Sequence, residues 1–254
     1  AAVRFQQDVY DKMKQVFGTD VNRIIVCAGL GGGTGGGGVL VMLDLARKYI
    51  GYVSNHDPKK HVGAIVALPT TGEAMSPIVA NNAKLQAEKL SAYAAASEIS
   101  PLLFVDNDKI QKLYPKLTVS QFWPTVNQTI AGLFHTFNSL SSQNSQYTTF
   151  DPADYSSVMS AGGCMILGLT NVKNYQTEVD VSQALRSNLT KTLLADGFDL
   201  STAKATACIV IGSENLFNEV PGLMNGIQYG FDTIASATGN ALCHRGVYSV
   251  AREN

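Results

Sequence analysis

Charge is scarce in this chain, and neither sign dominates. Of its 254 residues only 15% are Asp, Glu, Lys or Arg, with 19 basic against 20 acidic, so the formal net charge is −1. A general nucleic-acid-binding surface needs clustered Lys and Arg. No such cluster and no block of like charge occurs, so neither a direct nucleic-acid partner nor a charged tail is expected. Cysteine is equally thin: Cys27, Cys164, Cys208 and Cys243 lie too far apart for a metal-site pattern. Three of them, Cys27, Cys164 and Cys208, fall in apolar runs, which predicts buried free thiols in a reducing compartment. The chain shows no signal peptide and no apolar run long enough to cross a bilayer. A soluble, cytoplasmic protein without membrane insertion is expected. In that compartment the sequons at Asn127 and Asn188 carry no meaning.

What is present is apolar residues, 45% of the total, enough for one large domain or two medium ones with real cores. Their pattern alternates between short strand-like runs and longer helical ones. Helices are predicted near 5–17, 38–51, 78–98, 121–140, 152–160, 180–195 and 220–235. Strands are predicted at 23–28, 62–68, 101–105, 164–169, 207–212 and 242–250. Near-continuous apolar strands alternating with helices indicate α/β layering. In the long helix, Phe122, Val126, Ile130, Leu133, Phe137 and Leu140 form one apolar stripe. The polar stretch 141–149 is the best boundary.

The most informative segment is 29–38, GLGGGTGGGG, between a buried strand and a helix. Such a glycine run makes sense where backbone must come very close to something. At a helix N-terminus its N–H groups form a ready phosphate site. It is not a P-loop, because no Lys-Ser/Thr follows. Gly31, Gly33 and Gly36 satisfy the dinucleotide pattern G-x-G-x-x-G, which also wants an acid at the end of the next strand. That strand ends near Leu68, and the acid beyond it, Glu73, lies too far along.

Ala28-Gly29-Leu30 followed by Gly31, Gly32, Gly33, Thr34, Gly35, Gly36 and Gly37 resembles the tubulin/FtsZ signature A-G-x-G-G-G-T-G-[ST]-G. Gly36 stands where the family has Ser or Thr. Later motifs resemble the family in order. Pro69 and Glu73 match the loop whose Glu contacts the ribose, while Pro77 stands where FtsZ has a phosphate-contacting Arg. Asn107, in Asp106-Asn107-Asp108, matches the Asn that reads guanine, although Asn and Asp are also common turn residues. Phe122 and Trp123 match the base-stacking aromatic. Asn127 matches the base-pairing polar residue and shares a helical face with Trp123; a count from Phe122 would reach Val126 instead. Asp151 and Asp154 keep the spacing of the catalytic N-x-D-x-x-D loop, with Thr149 in place of Asn. Asp151-Pro152-Ala153-Asp154 is equally a good helix start.

The resemblance implies an α/β fold with a Rossmann-like nucleotide-binding domain (1–120), a central core helix and connector (121–150), and a second α/β domain introduced by the acidic loop (151–254). Relatives begin with a further strand and phosphate loop, so the nucleotide domain is expected to be N-terminally incomplete and this stretch alone to bind GTP weakly or not at all. It implies GTP or GDP bound by Gly31 to Gly37, Glu73, Asn107, Phe122, Trp123 and Asn127, with Mg²⁺ as the accompanying ion and no protein-held metal site. It implies copies of the chain stacked head to tail, with Asp151 and Asp154 serving the neighbour's GTP. A superfamily member that binds nucleotide without hydrolysing it is the alternative. A dinucleotide-dependent oxidoreductase is a second, which leaves the later motifs unexplained. The C-terminal part shows no chemistry of its own, and His244 and Arg245 are expected at the surface or core edge.

Overall fold

The computed structural model describes residues 2–250. In chain order the elements are α1 (Gln6–Phe17), β1 (Ile24–Gly29), α2 (Gly33–Val53), α3 (Pro58–His61), β2 (Val62–Leu68), α4 (Thr71–Ala74), α5 (Pro77–Ala95), β3 (Leu102–Asp106), α6 (Asn107–Leu113), α7 (Val119–Leu140), α8 (Pro152–Met159), β4 (Cys164–Met165), α9 (Glu178–Lys191), β5 (Ala205–Ser213), α10 (Glu214–Glu219), α11 (Leu223–Ala237) and β6 (Leu242–Val250). They fall into two compact units. One runs up to Pro115 and takes back Met159–Leu167; the other comprises Lys116–Val158 and the chain from Gly168 onward. The polar stretch 141–149 lies inside the second unit.

The first unit is built on a parallel sheet in the order β1-β2-β3-β4. Parallel sheets are covered on both faces, which is why β2 and β3 read as continuous apolar runs. Val62, Ala64, Val66 and Leu102, Leu103 and Val105 are all fully buried. Helix α2 lays Val39, Leu43, Ala46 and Ile50 into this core, a spacing of three and four that makes one face of the helix. The register pairs Gly29 with Ala67 and Leu68 with Asp106. The loops after β1, β2 and β3 therefore emerge at the same, carboxyl-terminal edge. Arg23 ties the opposite end, donating to the carbonyls of Lys60 (2.6 Å) and Ser100 (3.0 Å) and to Ser160 Oγ (3.3 Å).

The second unit holds a two-stranded parallel sheet, β5 beside β6, registered from Ala205↔Leu242 to Ser213↔Val250. Leu223, Ile227, Phe231 and Ile234 of α11 pack with Val181 and Leu185 of α9, Cys208 of β5 and Val247 of β6 in its core. A smaller cluster joins Leu140, Phe150 and Tyr248.

Three expectations need correction. Helix α2 begins at Gly33, not near residue 38, so most of the glycine run is helical. Packing of α2 on β1 overrides the poor helix propensity of glycine. The strand foreseen at 164–169 is only Cys164–Met165; the chain then leaves the sheet, and Gly168 makes an isolated antiparallel bridge to Leu193. All four cysteines are free, but Cys208 alone is buried, and burial pushes its thiol up to about 12. Cys27 is exposed because β1 is an outer strand of the described sheet. No helix among the described residues is long and apolar enough to cross a membrane.

Candidate functional site

At the carboxyl edge of the first unit's sheet, the glycines divide into two kinds. A Cβ on Gly35 would lie 2.3 Å from the Gly29 carbonyl oxygen, and one on Gly36 would lie 2.5 Å from that of Leu30. These two let the helix start approach the strand. Gly36 is buried and faces Leu30, so the hydroxyl of the family's Ser or Thr has no room here. Gly31 is close-packed too, against Val79. Gly32, Gly33 and Gly37 have open space where a Cβ would stand, and they are exposed with Thr34. The first bond of the helix ladder runs from the Gly36 N–H to the Gly32 carbonyl, 3.0 Å. The N–H groups of Gly33, Thr34 and Gly35 therefore have no partner in the helix ladder. The edge presents bare backbone at the positive end of a 21-residue helix, a surface suited to phosphate.

Glu73 and Asn107 stand in the neighbouring loops. Glu73 is exposed and forms a capping box with Thr70, its Oε2 accepting from the Thr70 N–H (2.8 Å) and Oγ1 (3.0 Å). Pro77 opens α5. Asn107 is buried as the first residue of α6, which Asp106 caps by accepting from the N–H groups of Asp108 (2.9 Å) and Lys109 (3.2 Å). Asp108 in turn accepts from the N–H and hydroxyl of Thr71, joining this loop to that of Glu73. The hydroxyl, more than the N–H, holds the Asp108 carboxyl below its ordinary range. So the first unit brings the glycines, Glu73 and Asn107 to one edge.

The other expected residues belong to the second unit. Thr118 and Gln121 start α7 with a capping box, and Pro124 lies inside the helix. Trp123 is 43% exposed and stands edge-on to Phe122 at 5.0 Å. Asn127 is exposed, whereas Val126 is buried.

Asp151 and Asp154 form a reciprocal cap on α8. Asp151 Oδ1 accepts from the Asp154 N–H (2.8 Å), and Asp154 Oδ2 accepts from the Asp151 N–H (3.1 Å). Just before them Phe150 is fully buried, and its N–H donates to Tyr248 Oη at 2.9 Å. That hydroxyl lies 3.0 Å from the Leu140 carbonyl oxygen and 3.1 Å from that of Phe150. The loop is thereby fastened to the C-terminal end of α7, opposite the end that carries Trp123. Thr149 Oγ1 accepts from the Ser145 N–H at 3.0 Å. Sequence reasoning missed Tyr248, and it missed His244, whose Nδ1 lies 2.6 Å from Asp154 Oδ1. Among the described residues no group of three or more His, Cys, Asp or Glu is arranged to hold a metal ion.

No protein-family model matches the chain. It is 24% identical over 225 residues to the tubulin-like protein TubZ of Bacillus cereus, covering 84% of the chain and 48% of that protein. It is 28% identical over 169 residues to the cell division protein FtsZ 2 of Haloferax volcanii, covering 66% and 38%. The chain thus spans about half or less of the length of these relatives. Among solved structures it matches GDP-form protofilaments of TubZ from Bacillus thuringiensis serovar israelensis. The TM-score is 0.79 at 17% identity, over 99% of this chain and 66% of that one. It also matches a GTPγS-bound protofilament of CetZ2 from Haloferax volcanii, with TM-score 0.73 at 20% identity over 97% and 66%. The fold is that of the tubulin/FtsZ class, a parallel sheet whose helix α2 opens on a glycine signature, with a second α/β unit. In sequence and in fold the chain is similar to proteins of the tubulin/FtsZ-like superfamily.

Proposed function

We propose that this chain binds guanine nucleotide and that stacked copies of it hydrolyse GTP at their contacts. We assign the phosphates to the backbone of Gly31, Gly32, Gly33, Thr34, Gly35, Gly36 and Gly37, the ribose to Glu73 and the guanine to Asn107. Phe122 and Trp123 would stack on the base and Asn127 pair with it. Asp151 and Asp154 would polarise the attacking water on a neighbour's nucleotide. Mg²⁺ would be held chiefly by phosphate oxygens and water. Self-assembly would be head to tail, a contact that need not close and so makes filaments. The expected setting is the cytoplasm.

The observation that carries this reading lies within α7. Trp123 is near its start and the acidic loop is fastened to Leu140 at its end. At 1.5 Å per residue the two stand about 25 Å apart along the helix, farther than one nucleotide spans. Because the loop that leads to Asp154 is held at the far end of α7, we infer that a nucleotide stacked on Trp123 would be served by the acids of a different copy. The GDP-form and GTPγS-bound protofilaments among the similar structures support nucleotide binding and self-association.

Thr149, turned onto its own loop, and Gly36, with no room for a hydroxyl, favour the alternative of a scaffold that binds without hydrolysing. GTP turnover against protein concentration separates the two, measured on the complete gene product that carries this chain. Turnover per subunit should rise steeply with concentration. Asp154→Ala and Asp154→Asn should abolish it while GTP still binds. Turnover indifferent to concentration or to Asp154 would leave the scaffold.

A further inference from the structure

Asp154 is held by more than its helix cap. His244 Nδ1 lies 2.6 Å from its Oδ1, and the other ring nitrogen, Nε2, lies 3.0 Å from Ser157 Oγ. An ionised carboxylate only accepts, so Nδ1 carries the shared proton; Nε2 then meets the Ser157 hydroxyl, which serves as donor or acceptor. The two carboxylate oxygens of Asp154 thus have separate anchors: Oδ2 on the Asp151 N–H and Oδ1 on the imidazole.

Burial gives the direction of the arrangement. The His244 side chain is 10% exposed and that of Asp154 29%, so the ring stands behind the carboxylate and the carboxylate faces out. The ring is itself fixed from the backbone, because His244 pairs with Ala207 in the β5–β6 ladder. A Ser-His-Asp chain of these lengths also resembles a nucleophilic triad, but the layout runs the wrong way. Ser157 sits inside α8, where its N–H points along the helix and cannot help form an oxyanion hole. The acid, which a triad buries behind its histidine, is here the outer member.

We propose that His244 is a positioning residue for Asp154. It locks rotation of the carboxylate so that one geometry faces the adjoining subunit, with Ser157 steadying the far side of the ring. This rests on the reading that Asp154 acts on a neighbour's GTP. Positioning matters at this scale because a displacement of about 1 Å in a reacting group lowers a rate on the order of 100-fold.

The test uses the complete gene product, comparing wild type with His244→Ala, His244→Asn, Ser157→Ala and Asp154→Asn. Readouts are maximal GTP turnover, GTP dissociation constant, pelleting with GTPγS and melting temperature. His244→Ala should lower turnover by roughly 10- to 100-fold, with GTP affinity and GTPγS pelleting unchanged. His244→Asn, whose amide N–H can stand near the place of Nδ1, should recover most of the rate, and Ser157→Ala should lose less than His244→Ala. Wild-type turnover in His244→Ala beside an inactive Asp154→Asn would overturn the positioning role and leave the shared site standing. Full activity in Asp154→Asn would overturn both. A loss in His244→Ala that follows a lowered melting temperature and is not recovered by His244→Asn would reduce His244 to a structural residue.

Discussion

Residues 31–37 are six glycines and one threonine, yet the glycines are not interchangeable. Gly35 is required by contact: a methyl group there meets the Gly29 carbonyl oxygen at 2.3 Å, and backbone cannot swing aside as a side chain would. Gly35→Ala should destabilise the protein by about 1–3 kcal/mol, seen as an earlier thermal or urea transition. Gly37 lies in the same helix with open space before it. Gly37→Ala should stabilise the fold by about 0.5–1 kcal/mol. If that space receives phosphate, the same substitution should weaken GTP binding, so melts with and without GTP would move in opposite directions. Asp108 offers a second test at this scale. Its carboxyl is held below the ordinary range by the Thr71 hydroxyl and N–H. The stabilisation is therefore fully present above the unfolded-state pKa of about 3.9 and disappears as pH falls through the lower folded-state value. Asp108→Ala should melt earlier than wild type at pH 7, and the gap should close on acidification below about pH 4.

The acidic loop and α8 form one element with two braces from β6, His244 and Tyr248. Burial pushes the Tyr248 phenol up, and its hydroxyl serves Phe150 and Leu140 together. Tyr248→Phe leaves the buried Phe150 N–H without its acceptor, a loss of about 1–3 kcal/mol. That corresponds to a melting temperature lower by roughly 2–4 °C per kcal/mol for a chain of this size. None of this bracing was legible in the sequence. The caps at Asp151 and Asp154 announce themselves within four residues, and the stripe on α7 within a turn. His244 and Tyr248 reach their partners across 90 and 98 residues, and no local spacing marks such a contact. The glycine run misled about its own structure for a related reason: propensity forecasts a loop, but the close approach of α2 to β1 makes a helix of it. Strand β4 was overdrawn because apolar residues past Met165 looked like more strand, while the chain turns away to pair Gly168 with Leu193.

At the scale of the whole molecule the α/β alternation was readable, because parallel strands buried on both faces leave apolar runs between helical periods. The strand order was not, since register depends on which strands meet. A further consequence follows from where the two braces of the acidic loop lie. The ribosome delivers Asp151 and Asp154 well before it delivers β6. At roughly 5–20 residues per second the delay is on the order of 5–20 s. Throughout that interval the nascent chain carries the acids and can cap α8 with them, but it has no imidazole behind Asp154 and no phenol beneath Phe150. A polypeptide broken off before β6 would keep the motif and lack its setting, so on the ribosome the acidic loop acquires its geometry only after the second unit's last described strand has been made.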